Sequence, residues 1–257
     1  MSAQTSMLVD EPDHERDREF EVDRTPRGLV RAALGAHLAA RGGEHSRTVA
    51  VAGHHVWHPS DGPLRVLDVC AGSGVWASEM RAWCERHGIP VEITAIEVRP
   101  EEREHLERVA DFAVIGDALD LLGDDHYYGA HRWHIAIGNP AFSLLAWDPQ
   151  DTARIPLAPT LLELALSMIL LSTTQAFTRS KRAAEWLHGN PPALETRIAQ
   201  TVSFRGGSKS DGISYSVTSW VPYMRHPLPG TPWPCSVLVL PGEARRWRVP
   251  PGQEGAP

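Results

Sequence analysis

The chain gathers three chemically useful groups at one point, Asn139-Pro140-Ala141-Phe142, which follows the apolar run Ile135–Gly138. An aromatic amino group is a poor nucleophile because its lone pair is delocalised into the ring. The Asn139 side-chain oxygen and the Pro140 carbonyl can each accept one of its two N–H groups. That arrangement makes the nitrogen more tetrahedral and aims its lone pair at an electrophile. Phe142 can stack on a flat substrate, a contact worth ~1–3 kcal/mol per base. Holding the partners in line then supplies much of the acceleration. An Asn-Pro pair is also an ordinary way to end a strand, so this segment gains its meaning from what lies upstream.

Upstream, Val66-Leu67-Asp68-Val69-Cys70-Ala71-Gly72-Ser73-Gly74 reads as a buried strand running into a glycine turn. A side chain at Gly72 or Gly74 would push a ligand away from the backbone amides and the start of the next helix. Glu97 lies 23 residues after Gly74, at the end of a second apolar run, where an acid can accept both ribose hydroxyl protons. Asp117 ends a third strand and can accept a hydrogen bond from an adenine amino group. A glycine turn alone is compatible with a plain turn, but acids at two successive strand ends point to a nucleoside ligand. A dinucleotide is the alternative, because the third position of the G-x-G-x-x-G pattern is Ala77, an allowed variant.

The elements that must hold these residues follow from periodicity and breakers. Thr25-Pro26 opens a helix, with Leu29, Val30, Ala33 and Leu34 at helical spacing carrying it to about Ala40. Residues 42–63 are rich in Gly, His, Pro and Ser and read as a loop or small hairpin. Strands are expected at Leu64–Val69, Val91–Ile96, Phe112–Ile115, Trp133–Gly138 and Met168–Leu171. Helices are expected after Gly74 towards His87, from Pro100 to about Val109, from Thr160 to about Ser167, and over Thr178–His188 before Pro191-Pro192. Thr196–Phe204 and Ile213–Val221 read as two strands around Gly206, Gly207 and Gly212, and Ser236–Leu240 as an edge strand. Alternating strands and helices imply an α/β fold, a mostly parallel sheet with helices on both faces and an antiparallel C-terminal hairpin.

Bulk properties narrow the class. A chain of 257 residues accommodates one α/β domain with a substantial core, and its 42% apolar and 22% charged composition is that of a water-soluble globule. No apolar run approaches the ~20 residues that span a bilayer, so no membrane partner is expected. Cys70, Cys84 and Cys235 are odd in number and far apart, which fits a reduced cytoplasm. The net charge of −7 argues against a strongly basic binder, but it is unevenly spread. Residues 10–23 hold eight acids against two arginines, whereas residues 176–210 hold six basic side chains against two acids. We expect an acidic disordered tail over 1–22, one domain over 23–240 and a flexible tail over 241–257. The basic segment offers a local face for phosphates.

The pattern resembles the S-adenosylmethionine-dependent adenine-amino DNA methyltransferases, in the variant common in phages and prophages, over about residues 23–222. Thr25-Pro26 with Leu29-Val30 looks like that family's N-terminal cofactor motif. The run from Asp68 to Trp76 resembles its glycine motif, Glu97 and Asp117 match its two acids, and Gly138–Ser143 is similar to its catalytic motif. Arg197, Ser203-Phe204, Gly206, Asp211, Tyr215 and Trp220 follow the spacing of its closing hairpin, which helps hold a flipped base. The resemblance implies a Rossmann-like class I methyltransferase fold and S-adenosylmethionine as cofactor. It assigns cofactor contacts to Thr25, Pro26, Asp68, Gly72, Gly74, Glu97 and Asp117, and catalysis to Asn139, Pro140 and Phe142. It implies DNA as the partner.

Two departures stand out. The family motif usually has a second proline where this chain has Ala141. The accepting carbonyl belongs to Pro140, so the key contact survives while the loop loses rigidity. The sheet uses the chain to about residue 222, which leaves target recognition to a partner protein. Other acceptors with a planar N–H₂, an RNA base or a protein glutamine amide, suit the same chemistry, and Ala141 also admits an inactive cofactor-binding module. His54, His55, His58 and Cys70 lack the paired spacing of a structural zinc site, so no metal is expected. Cys70 reads as a small buried residue. Trp76, Trp83 and Trp186 read as packing residues on helices.

The glycine turn supplies the first test. Gly72→Val should abolish S-adenosylmethionine binding, because a β-branched side chain would occupy the ligand's path. Calorimetry on a variant shown to be folded decides it, and unchanged affinity would rule out this placement.

Overall fold

The computed structural model of the protein describes residues 25–43, 47–123, 132–145, 155–178, 180–199, 213–221 and 234–238. The tails expected over 1–22 and 241–257, the glycine-containing loop at 206–212, and Ser203, Phe204 and Asp211 lie outside these residues. Helix α1 spans Arg27–His37 and is followed by strands β1 (Leu38–Arg41), β2 (Thr48–Val51) and β3 (His54–Trp57). The core then alternates: β4 Leu64–Val69, α2 Val75–His87, β5 Val91–Glu97, α3 Arg103–Glu107, β6 Phe112–Ile115, α4 Ala118–Gly123 and β7 Ile135–Gly138. After it come α5 Phe142–Leu145, α6 Leu157–Leu164, β8 Met168–Thr173, α7 Lys181–Gly189, β9 Leu194–Ile198, β10 Tyr215–Trp220 and β11 Cys235–Leu238.

The main sheet has eight strands in the order β11-β9-β10-β8-β7-β4-β5-β6. Strands β4 to β8 are mutually parallel, and β10 runs antiparallel to both β8 and β9. The expected α/β sheet with an antiparallel closing pair is therefore what forms. The expected edge strand also forms, as β11, which pairs parallel to β9. This is a Rossmann-like, doubly wound arrangement whose chain reverses direction across the sheet at β4, between β5 on one side and β7 on the other.

Side chains alternate between the two faces of each strand. Leu64, Val66, Ile135, Ile137, Ile169 and Leu171 join Leu29, Val30, Trp76, Met80 and Trp83 of α1 and α2. Leu67, Val69, Ala136, Met168 and Leu170 join Leu119, Leu157 and Leu161 of α4 and α6. Both faces are covered, which is why these strands carry apolar residues on both of their faces. Trp76 and Trp83 pack in the first cluster, and Trp186 packs against the second with Phe177 and Trp220.

The structure departs from expectation mostly at boundaries. Helix α1 stops at His37, because Leu38–Arg41 pairs antiparallel with β2. The region read as a loop or small hairpin forms the hairpin β2-β3, with Ala52 and Gly53 both at positive φ in its tight turn, and β1 joins it to make a three-stranded sheet. The charged helix after Pro100 is a short 3₁₀ turn, Pro100–Glu102, followed by Arg103–Glu107. Helix α6 starts at Leu157, ahead of Pro159, which fits because proline is tolerated in a first turn. Helix α7 begins later than expected, where the Ser180 hydroxyl accepts the Ala183 N–H at 3.1 Å.

His37, at the end of α1, joins the small layer to the main sheet. Its Nδ1 lies 3.0 Å from the Ser219 hydroxyl on β10, and its Nε2 has no partner among the described residues. Burial pushes its pKa down to about 4. A group depressed in the folded state stabilises the fold fully above its unfolded pKa of ~6.5, and that contribution fades as pH falls towards the folded value. Wild-type stability minus that of His37→Gln should therefore be flat above pH ~6.5 and shrink by up to ~1.4 kcal/mol per pH unit below it. Denaturant melts from pH 4 to 8 check this; a difference that does not vary with pH would contradict it.

Candidate active site

The carboxyl ends of β4 and β7 lie side by side, with Val69 opposite Gly138. This is the crevice where a doubly wound sheet opens. Gly138 makes the approach feasible: a Cβ built there would sit 2.4 Å from the Val69 carbonyl oxygen, and its φ is +154°. Beyond these strand ends come Cys70-Ala71-Gly72 on one side and Asn139-Pro140-Ala141 on the other. The two segments singled out in the sequence are thus adjacent in space.

The turn after β4 is held by hydrogen bonds and backbone shape. Cys70, Gly72 and Gly74 all have positive φ. The Ala71 N–H donates to the Ile96 carbonyl at 2.9 Å and the Gly74 N–H to the Ala71 carbonyl at 2.9 Å. Cys70 is a non-glycine residue in the left-handed region, a local strain of ~1–3 kcal/mol of the kind that collects at functional sites. At Gly74 the space a Cβ would fill is taken by the Val109 Cγ2, at 2.6 Å. That glycine is therefore required by backbone conformation and packing, and its influence on a ligand runs through the shape of the turn.

The acids are tied to this backbone. Asp68 shares a strand face with Val66 and looks towards α2, where its Oδ2 accepts the Ala77 N–H at 2.9 Å. Its Oδ1 is buried without a partner among the described residues. Burial first, and the neighbouring Glu97 charge, hold the Asp68 carboxyl well above the usual range. Glu97 is 2% exposed and accepts the Gly72 N–H at 2.7 Å through one oxygen. Its other oxygen takes the Arg99 N–H at 3.1 Å and the Arg99 Nε at 2.9 Å. Burial raises the Glu97 pKa despite these donors. Asp117 caps α4, its Oδ1 accepting the Leu119 N–H at 2.8 Å.

Cys70 sits among these carboxylates. Burial and the charges of Glu97, Asp68 and Asp117 push its thiol pKa up, while the Ala141 N–H pulls the other way. The thiol is therefore neutral. No group of three or more potential metal ligands occurs among the described residues, and no described helix is long and apolar enough to cross a membrane.

Asn139 is 5% exposed, and its Nδ2 donates to the Thr25 hydroxyl at 3.1 Å, with Thr25 itself 3% exposed. Thr25 precedes Pro26 at the start of α1, so the first and last segments of the sequence pattern meet here. Phe142 begins α5, immediately after Pro140 and Ala141. Sequence reasoning missed the Thr25–Asn139 contact, the bracing of Glu97 by Arg99 and the packing role of Gly138. Only the second had a local signal, a basic residue two positions past an acid.

No protein-family model and no curated protein matches the chain by sequence. Solved structures do match in shape. The methyltransferase subunit of a type I restriction-modification system from Streptococcus thermophilus superposes with a TM-score of 0.50 at 12% identity, covering 80% of this chain and 47% of that one. A Vibrio vulnificus protein assigned as the modification subunit of a type I restriction enzyme gives 0.50 at 14%, covering 88% and 49%. A protein of another type I restriction-modification system gives 0.51 at 12%, covering 88% and 47%. The fold is therefore the Rossmann-like fold of class I methyltransferases. The chain spans about half the length of these relatives.

Gly138 supplies the test of the crevice. Gly138→Ala should cost about 2 kcal/mol, since the clash is with backbone that cannot turn aside, and lower the Tm by roughly 4–8 °C. A melt indistinguishable from wild type would show that β4 and β7 do not need this approach.

Proposed function

We propose that the protein transfers a methyl group from S-adenosylmethionine to the exocyclic amino group of adenine in DNA. One observation carries the reading: the glycine turn after β4, braced by Glu97, and the Asn139-Pro140 segment after β7 share one crevice. The donor set fits the cofactor. Glu97 and Asp117 stand at the strand ends beside the turn, and Asp68, buried and facing α2, adds a third acid behind it. Such a lining favours a cationic ligand and disfavours the phosphates of a dinucleotide. The bound cofactor supplies an electrophilic methyl group on sulfur.

The chain's own residues do the rest. The Asn139 Oδ1 and the Pro140 carbonyl accept the two N–H groups of the amine, and Phe142 stacks on the base. Nitrogen forms a bond to the methyl carbon as the carbon–sulfur bond breaks, and the nitrogen then gives up one proton to solvent. Gly72, Gly74 and Glu97 shape the turn that would hold the nucleoside, with Asp117, Thr25 and Pro26 as the further residues that would contact it. Likeness to type I modification subunits supports DNA as the acceptor and a partner protein for target recognition. An adenine in duplex DNA must be flipped out to reach strand ends, at a cost of a few kcal/mol.

Asn139→Ala should leave cofactor affinity near wild type and lower the single-turnover rate by about 10²–10³-fold, since the amide acts once the amine is in place. The measurement is labelled methyl transfer to DNA, RNA and protein side by side, with calorimetry for the cofactor. Intact turnover in the variant would end the amino-methylation mechanism. Transfer to RNA or protein with none to DNA would replace the acceptor.

A further inference from the structure

We infer that Arg99 is a positioning residue for the cofactor: it acts through Glu97, whose carboxylate it holds against the glycine turn. The inference rests on the proposed S-adenosylmethionine site, in which Glu97 shapes that turn. A buried carboxylate keeps its charge and its orientation only when donors and cations surround it. Glu97, at the end of β5, is 2% exposed. One of its oxygens accepts the Gly72 N–H at 2.7 Å, which ties it to the turn. The other accepts two donors of Arg99, the backbone N–H at 3.1 Å and the side-chain Nε at 2.9 Å. The carboxylate is therefore gripped from both ends, by the turn on one side and by Arg99 on the other.

Local sequence fixes Arg99 for this task. Pro100 restricts the residue before it to extended backbone, and Arg99 has φ −86° and ψ 117°. In that conformation its N–H and its side chain both reach back to Glu97. The Arg99 side chain is 14% exposed, so water and salt screen the pair only weakly. Like charge otherwise crowds the carboxylate. Asp68 acts on it from β4, and Glu102 from the 3₁₀ turn that follows Arg99. Arg99 answers both Glu97 and Glu102, since its Nη1 lies 3.9 Å from the Glu102 carboxylate, which also has His105 Nδ1 at 3.3 Å. Without the guanidinium, Glu97 can take up a proton or turn away, and either change loosens its hold on the Gly72 N–H. The Arg99 backbone N–H stays whatever side chain it carries, so substitution there tests the guanidinium alone.

Arg99→Met removes the charge and the Nε donor while keeping an apolar stem, and Arg99→Lys keeps the charge. Calorimetry with S-adenosylhomocysteine, the cofactor after loss of its methyl group, reads affinity without any transfer. Arg99→Met should weaken binding about tenfold, and Arg99→Lys should stay within about threefold of wild type. Combined with Glu97→Gln, Arg99→Met should cost nothing further, because the charge that Arg99 holds is gone. Arg99→Gln serves in place of Arg99→Met if thermal melts show that the latter does not fold. Wild-type affinity in Arg99→Met overturns the inference, and so does tighter binding, which makes Arg99 a competitor for Glu97. Additive losses in the double variant also overturn it, because Arg99 then touches the ligand itself. Equal losses in Arg99→Met and Arg99→Lys do the same, since packing of the side chain is then the cause. Wild-type protein that binds neither S-adenosylhomocysteine nor S-adenosylmethionine removes the underlying site before any variant is compared.

Discussion

Val69 and Gly138 are brought so close that a hydrogen fits where a methyl group would strain the sheet. Everything chemically interesting leaves the sheet from that pair. Strand β4 delivers Cys70 and the turn behind it, β7 delivers Asn139, and the reversal of strand order means no crossover helix fills the gap between them. The rest of the molecule stabilises this junction from a distance. Helices α1 and α2 close one face, α4 and α6 the other, and the apolar clusters they form are continuous with the strands on either side.

Near the junction the protein accepts unfavourable local terms that a purely structural sheet would avoid. A non-glycine residue is held left-handed, and two carboxyl groups are buried within reach of one another. Backbone N–H groups and Arg99 compensate Glu97, whereas Asp68 is compensated through one oxygen only. Burying a charge without full compensation is costly. The placement makes sense where a cationic ligand completes the set, which is the electrostatic core of the proposed function.

The sequence was most legible where a single local rule decides the outcome. The segments Leu64–Val69 and Val91–Glu97 are rich in apolar residues because both sheet faces are covered, and the segment from Cys70 to Gly74 announced its turn. It was least legible where distant partners override local preference. Ala39 and Ala40 favour helix, yet pairing with Ala50 and Val49 makes them strand. The helix expected from Thr160 begins at Leu157, because its first turn tolerates Pro159. The approach of Thr25 to Asn139 spans 114 positions and has no periodic signature. Packing alone brings them together.

The insertion of β10 between β8 and β9 has a consequence for the order in which the molecule assembles. Every residue of β8 is buried in the finished sheet, and its free side is closed by β10. A growing chain emerges amino end first, so β8 and then β9 exist before the strand that must lie between them. For that interval β8 presents an unpaired border that is apolar from Met168 to Leu171, the kind of template on which chains join one another. Strand β9 cannot dock early to protect it, because the intervening place belongs to β10. The step that completes the sheet is thus a long-range one, and such steps are slow.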